Sequence, residues 1–244
     1  MPIKVVTFDL DNTLWDVEPA LLRAEEAQRQ WLIRHRPGAI DRMGHDELMN
    51  LRKRVWEAHP ELAHNVSAMR QRFLHELQRA AGFTESAADE GASLAFAAFL
   101  QERQKVELYA DALAVLETLA QRFRLGALTN GNADVYKTDA GEYFDFAYLA
   151  EDIGASKPAP DMFHAALHAA GVNAKEVVHV GDNPEHDVLG ALRVGMQAIW
   201  LNADATPWSH GDDHHNYAPH GTITTIGELP AAIDVLEQQL SSRG

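Results

Sequence analysis

The sequence predicts an α/β protein, a Rossmann-like parallel sheet interrupted near its start by an all-helical insertion. Three observations point there. Short runs rich in β-branched and aromatic residues are nearly continuous in apolarity, the pattern of strands buried on both faces. From about residue 106 these runs alternate with helical stretches, which implies crossovers and parallel pairing. Residues 17–105, by contrast, hold helical spacing and no strand pattern. The expected division is a core domain of residues 1–15 and 106–244, with a helical domain inserted at 16–105.

The first run, residues 3–8, breaks at Asp9-Leu10-Asp11-Asn12-Thr13, where Asp and Asn favour a loop. A first helix holds Leu21, Leu22, Trp31 and Leu32 and stops near Pro37-Gly38. A second spaces Leu48, Leu51, Val55 and Trp56 helically and stops before Pro60. A third carries Val66, Met69, Phe73, Leu77 and Ala81 and ends at Gly82. Thr84-Glu85 opens a fourth, with Leu94, Ala95, Ala98 and Phe99 on one face. Four helices in series read as a small bundle. Residues 112–121 are helical, and 125–129 form a strand ending at Asn130-Gly131-Asn132. A weaker strand at 144–149 precedes a helix at 159–170 closed by Gly171. The strand 177–180 ends at Gly181-Asp182-Asn183, a helix follows at 184–194 closed by Gly195, and 198–201 is another strand. Residues 204–220 read as a polar, His-rich loop, and 228–240 as a last helix.

Composition narrows the function. The 244 residues carry 36 acidic and 21 basic side chains, a formal charge of −15. That balance excludes a duplex nucleic-acid binder, whose affinity rests on Lys and Arg against phosphates. It also means that an anionic substrate needs a local cation to approach. With 46% hydrophobic and 23% charged residues, the chain reads as globular rather than disordered. No apolar run approaches the roughly 20 residues of a membrane span, and the N-terminus lacks the apolar core of a secretory signal. There is no cysteine, hence no disulfide, thiolate metal site or cysteine nucleophile. A cytoplasmic protein is the expectation.

Three strands end in polar residues: Asp9 and Asp11, then Thr129 and Asn130, then Asp182. In open α/β sheets ligands bind outside the carboxyl ends of the strands, so these groups should converge. Asp9, Asp11, Asp182 and Asp187 would place several carboxylates in one crevice, where each raises the others' pKa. A hard cation resolves that conflict, and an oxygen-only ligand set suits Mg²⁺ better than zinc or calcium. Taken singly, each feature has an ordinary structural reading as a turn, a helix cap or a solvated lysine. Their order along one inferred sheet edge is what singles them out.

Asp9-Leu10-Asp11-Asn12-Thr13-Leu14, Leu128-Thr129-Asn130-Gly131, Ser156-Lys157-Pro158 and Gly181-Asp182-Asn183-Pro184-Glu185-His186-Asp187 resemble, in that order, the four motifs of the haloacid-dehalogenase-like superfamily. The resemblance spans about residues 3–201, and the helical insertion looks like that family's C1-type cap. It implies a phosphatase in which Asp9 is the nucleophile that forms an aspartyl-phosphate. Asp11 would be the general acid and base, with its backbone carbonyl on the metal. Thr129, Asn130, Gly131 and Lys157 would hold the phosphoryl group, and Lys157 would also neutralise Asp9. Asp9, Asp11 and Asp182 would hold Mg²⁺, while Asp187 would orient the ion's waters or Lys157. Asp11 favours phosphatase over haloacid dehalogenase, whose displacement at carbon needs no such acid. His186 departs from the small polar residue that many members carry there.

Within the family the chain is most similar to phosphatases of flavin mononucleotide and 5-amino-6-(5-phospho-D-ribitylamino)uracil. Thr7-Phe8, Asn132-Ala133, residues 141–146, His179-Val180 and residues 195–198 carry that likeness, with Leu51 to Val55 and Arg70 to Phe73 in the helical segment. The expected partner is a small phosphorylated metabolite, with no nucleic acid and no membrane, for a monomer or homodimer. A sugar phosphate or phosphoglycolate is the alternative substrate. A phospho-accepting signalling module would use similar groups but places its accepting Asp on a middle strand. Trp15, Trp31 or Trp56 could stack on a flat ring or simply fill a core. The cluster His210, Asp212, Asp213, His214, His215 and His220 shows no regular ligand spacing and reads as a solvated loop.

Overall fold

The computed structural model describes residues 2–208 and 217–242. It divides into two compact units, Met1–Asp16 with Glu107–Gly244, and Val17–Val106. The chain opens with β1 (Val5–Phe8), whose every residue is buried. It then forms the helical unit: α1 (Val17–His35), α2 (His45–Ala58), α3 (Val66–Ala80) and α4 (Glu85–Arg103). Asn65 starts α3 by accepting the Ala68 N–H at 2.7 Å, and Thr84 starts α4 by accepting the Ala87 N–H at 3.3 Å. Gly82, at φ +93°, takes the left-handed turn after α3 that a side chain would resist. α4 packs on both α1 and α3, and α2 packs on α3. Their shared core includes Leu32, Leu51, Met69, Leu74, Leu77 and Phe99. Leu94 and Leu22 lie off this core, at 47% and 60% exposure. On α4 the buried stripe runs through Ala88, Ala92, Ala95, Phe96 and Phe99, which leaves position 94 on the solvent side.

The unit of residues 1–16 and 107–244 alternates strand and helix as expected. α5 (Ala112–Ala120), β2 (Arg124–Thr129), β3 (Phe146–Leu149), α6 (Ala150–Ile153), α7 (Pro160–Ala170) and β4 (Val177–Gly181) lead to α8 (Gly190–Arg193), β5 (Gln197–Leu201), β6 (Gly221–Ile223) and α9 (Leu229–Ser242). Among the described residues the strands form one parallel sheet ordered β3-β2-β1-β4-β5-β6. All residues of β1, β4 and β5 are buried, which explains why their sequences do not alternate. The short β6 and α6 carry too few residues for a periodic signal and were not expected. The His-rich segment lies largely outside the described residues. His220 is described, and its Nδ1 accepts the Ala198 N–H at 3.2 Å.

One expected helix is divided. Residues 184–194 form a π-helical turn, Pro184–Leu189, followed by α8. The Asn183 side chain accepts the N–H groups of Glu185 and His186 at 3.0 and 2.9 Å, and the Asn183 carbonyl accepts from both Asp187 and Val188. The five-residue reach to Val188 widens the turn, as happens often beside functional groups.

The sheet order sets the site. From β1 the chain builds β2 and β3 on one side, then crosses to β4 on the other. The strand order therefore reverses between β1 and β4, and a crevice opens outside their carboxyl ends. At the opposite ends, Glu176 ties the two strands: its Oε1 meets Lys4 Nζ at 2.6 Å and its Oε2 accepts the Asn173 N–H at 2.9 Å. The Lys4 contact first, then the Asn173 N–H, lower its pKa from 4.5 to about 2. A lowered pKa stabilises the fold above the unfolded value and loses that contribution as pH falls toward the folded one. Glu176→Gln should thus lower the melting temperature at pH 7. The gap to the parent should close as pH falls from about 4.5 to about 2, as read by thermal denaturation at stepped pH.

Candidate active site

Asp9, Thr129 and Asp182 reach the crevice from strand ends, Lys157 from the connection between α6 and α7, and Asp187 from the π-helical turn. Asp9 follows β1, and its N–H donates to Val180 O at 2.8 Å, which locks it beside β4. The next residues turn tightly: Asn12 N–H donates to Trp15 O at 2.7 Å, and Asn12 sits at φ +61°, a conformation that Asn tolerates better than most residues. This turn brings the fully buried Trp15 under Asp11, whose Oδ1 accepts the indole N–H at 2.7 Å. Trp15 is thereby removed from the candidates for ring stacking. In the helical unit, Trp31 lies against His35, with ring centroids 4.9 Å apart, while Trp56 is exposed.

Lys157 is the centre of the site. Its side chain is 2% exposed, and its Nζ donates to Asp9 Oδ1 at 2.7 Å, Asp187 Oδ1 at 2.6 Å and Leu128 O at 2.6 Å. An ammonium has three donors, and all three are used. Asn130 aims the lysine through its backbone: Asn130 Oδ1 accepts the Lys157 N–H at 2.8 Å, and Asn130 Nδ2 donates to Lys157 O at 2.9 Å. The Asn130 amide is thus turned toward Lys157. Beside it, Thr129 Oγ1 accepts the Gly131 N–H at 3.0 Å.

Asp187 is fixed from behind. Its Oδ2 accepts the Asn183 N–H at 3.0 Å, and its Oδ1 meets His179 Nε2 at 3.3 Å. Burial holds the His179 pKa below its ordinary value, so the ring is neutral. An ionised carboxylate only accepts, so Nε2 carries the proton and Nδ1 accepts the Thr7 hydroxyl at 2.9 Å. His179 and Thr7 received no role from sequence reasoning. The available signal was a titratable side chain inside the otherwise apolar run of β4. Gly181 completes the support, because a Cβ there would collide with the Asp187 carboxylate.

The electrostatics follow from crowding. Burial raises the Asp9 pKa well above its usual range; Lys157 opposes this, and Asp187 and Asp182 add to it. Burial and then Asp187 raise Asp182 to about 6. Burial also opposes ionisation of Asp187, but Lys157 and His179 outweigh it and hold that carboxyl well below the usual range. Lys157 stays charged: burial works against it, and Asp187 and Asp9 more than compensate. Carboxylate oxygens of Asp9, Asp182 and Asp187 lie within 4.8 Å of one another and could hold a metal ion. The Asp11 carboxylate is not among them.

A family model described as haloacid dehalogenase-like hydrolase matches residues 3–195. The chain is 36% identical over 235 residues to the Escherichia coli 5-amino-6-(5-phospho-D-ribitylamino)uracil phosphatase YigB, covering 95% of this chain and 96% of that one. It is 31% identical to a phosphoserine phosphatase of Thermus thermophilus, covering 84% and 91%. A solved structure of a 2-haloacid dehalogenase from Pseudomonas syringae superposes with a TM-score of 0.88 at 39% identity, covering 96% and 99%.

Because Gly181 leaves the space that Asp187 fills, Gly181→Ala should move Asp187 and, through it, Lys157 and Asp9. A displacement near 1 Å at reacting groups costs on the order of 100-fold. The expected result is a kcat loss of that order on a phosphate ester, with the far-UV circular dichroism retained.

Proposed function

The chain belongs to the haloacid dehalogenase-like hydrolase family, and from that premise we propose that it is a Mg²⁺-dependent phosphomonoesterase working through an aspartyl-phosphate on Asp9. The observation that carries this reading is the pairing of two carboxylates with different surroundings on one turn. Asp9 is buried against Lys157 at 2.7 Å, and Asp11, two residues on, is aimed by Trp15.

Lys157 holds Asp9 Oδ1, which leaves Oδ2 to attack phosphorus. The ester P–O bond breaks, and Asp11 gives its proton to the departing alkoxide. Asp11, now a carboxylate, takes a proton from water as that water attacks the phosphorus. The acyl-phosphate bond opens, and free phosphate and the original Asp9 are restored. Thr129, the last residue of β2, would bind a phosphoryl oxygen through its hydroxyl hydrogen, since its oxygen already accepts the Gly131 N–H.

The donor set fits a hard divalent ion: oxygens only, on three carboxylates, two of which (Asp9 and Asp182) have raised pKa values, with one lysine among them. Asp9 and Asp182 would hold Mg²⁺, together with the Asp11 carbonyl. Both Asp187 oxygens already accept from Lys157 and Asn183, which suits a role in positioning. When bound, the ion supplies charge neutralisation for the phosphoryl group.

For the substrate we propose flavin mononucleotide or 5-amino-6-(5-phospho-D-ribitylamino)uracil, on the strength of the 36% identity to YigB along almost the whole of both chains. The likeness to a dehalogenase structure raises a second reading. Asp11 speaks against it, since displacement of halide at carbon has no alkoxide to protonate.

Phosphate release should be measured from flavin mononucleotide beside phosphoserine, phosphoglycolate, sugar phosphates and a 2-haloacid. Release should be greatest from flavin mononucleotide, should stop with EDTA and should return with Mg²⁺. Preference for a small sugar phosphate would discard the flavin substrate and keep the chemistry. Halide release alone would discard both. Asp9→Asn should abolish turnover, and Asp11→Asn should lower it by about 10²–10⁴-fold, with the far-UV circular dichroism retained.

A further inference from the structure

The helical unit holds a second cluster of ligating side chains, far in sequence from the carboxylates above. His75 lies near the end of α3, and Glu85 and Asp89 lie one turn apart at the start of α4. The three side chains present ligand atoms within 4.8 Å of one another. His75 is 94% buried, since its residue exposure is 6%, yet its Nε2 has no hydrogen-bond partner. That nitrogen instead sits 3.3 Å from Glu85 Oε1 and 3.4 Å from Asp89 Oδ1. From these facts we propose that His75, Glu85 and Asp89 form a site for a divalent transition-metal ion of the Zn²⁺ type, which staples α3 to α4.

The distances support the ion over direct pairing. Zn–N and Zn–O bonds of about 2.05 Å in a tetrahedron put neighbouring ligand atoms about 3.4 Å apart. Both separations match that edge, and neither contact is a hydrogen bond. An imidazole nitrogen aimed between two carboxylate oxygens, bonded to neither, points where an ion would sit. The other ring nitrogen agrees. Nδ1 lies 3.2 Å from Glu76 Oε1, the carboxylate–histidine arrangement that fixes the Nδ1–H tautomer and leaves the Nε2 lone pair free to ligate. In that tautomer the lone pair would face two carboxylates with nothing between them, which is unfavourable without a cation.

Neighbouring charges are compatible with this. Arg79 Nε holds Glu85 Oε2 at 3.0 Å and leaves Oε1 turned to His75, while Arg72 Nη1 lies 3.8 Å from Glu76 Oε1. Three carboxylates against two guanidiniums leave the pocket net negative. A nitrogen donor excludes Mg²⁺ and Ca²⁺ as the preferred occupants and favours ions that bind imidazole. Three protein ligands leave one position for water. The site joins residues on either side of the 81–84 connection, so its loading should show as helical-unit stability rather than as turnover.

The test titrates Zn²⁺ into the full chain held in millimolar Mg²⁺ after chelator treatment, by calorimetry and by melting temperature, with Co²⁺ absorption as a reporter of geometry. The comparison is with Glu85→Gln/Asp89→Asn, whose altered side chains are exposed and do not threaten the fold. An Asp182→Asn variant controls for the carboxylate crevice. A His210→Ala/His214→Ala/His215→Ala variant controls for the other imidazoles. The expected result is one Zn²⁺ equivalent that raises the melting temperature, persists in both controls and weakens at least 30-fold in the Glu85/Asp89 variant. The His75 ring ¹⁵N signals should shift on loading. Equal Zn²⁺ affinity in the Glu85/Asp89 variant, no binding to the wild type, or unmoved His75 signals would each overturn the site and leave a protonated His75 paired directly with its carboxylates.

Discussion

The buried ammonium of Lys157 is the interaction on which the crevice depends. The sheet brings three carboxylates to adjacent strand ends, within 4.8 Å of each other. At an effective dielectric of about 20, two like charges 4 Å apart repel by about 4 kcal/mol. Three such pairs call for protonation or for a counter-charge. Lys157 supplies it with all three of its hydrogens, two to carboxylates and one to the Leu128 carbonyl at the end of β2. A lysine desolvated this fully is costly by itself, and only close acceptors offset that cost. The lysine and the carboxylates are therefore each other's condition for being buried.

That mutual dependence explains why so much structure holds Lys157 still. Its backbone is clamped on both sides by one amide, Asn130, at the end of the neighbouring strand. Asp187, its strongest partner, is held by the Asn183 N–H in the π-helical turn and by neutral His179 within the sheet. His179 is in turn oriented by Thr7 of β1, next but one to Asp9. The chain Thr7–His179–Asp187–Lys157 thus starts and ends beside Asp9 and closes a ring across β1 and β4. Glycine at 181 is required inside that ring because the Asp187 carboxylate occupies the place of its side chain.

Much of this was legible in the sequence, and the reasons differ by element. Strands buried on both faces announce themselves as unbroken apolar runs, so β1, β2, β4 and β5 were readable, as were the glycine-closed helices α3 and α7. Three-residue β6 was not, because a period needs more residues than it has. The π-helical turn was hidden for another reason: it depends on where the Asn183 side chain and carbonyl bond, and helical spacing reads the same either way. In the crevice, Asp9 and Asp182 stood out by position at strand ends, and Lys157 by its place in a family-like motif. The roles of Trp15 and His179 did not, since a buried aromatic and a buried histidine look like core until their polar atoms are placed. Leu94 shows the converse error, an apolar residue assigned to a face that the helix turns to solvent.

The overall charge of −15 makes the local balance decisive. Asp9, Asp182 and Asp187 carry up to three negative charges against one on Lys157. A phosphate ester approaching such a crevice meets repulsion that a single lysine, already fully hydrogen-bonded, does not cancel. Burial first, and the neighbouring carboxylates after it, raise the pKa values of Asp9 and Asp182. Two remedies exist: take up protons or take up a cation. Protonation would silence Asp9 in its proposed role as nucleophile, whereas a divalent ion held there would lower both pKa values and leave the carboxylate ionised. The physics that assembles the crevice therefore also argues for the proposed metal, and it does so from the protein's own charges before any substrate is named.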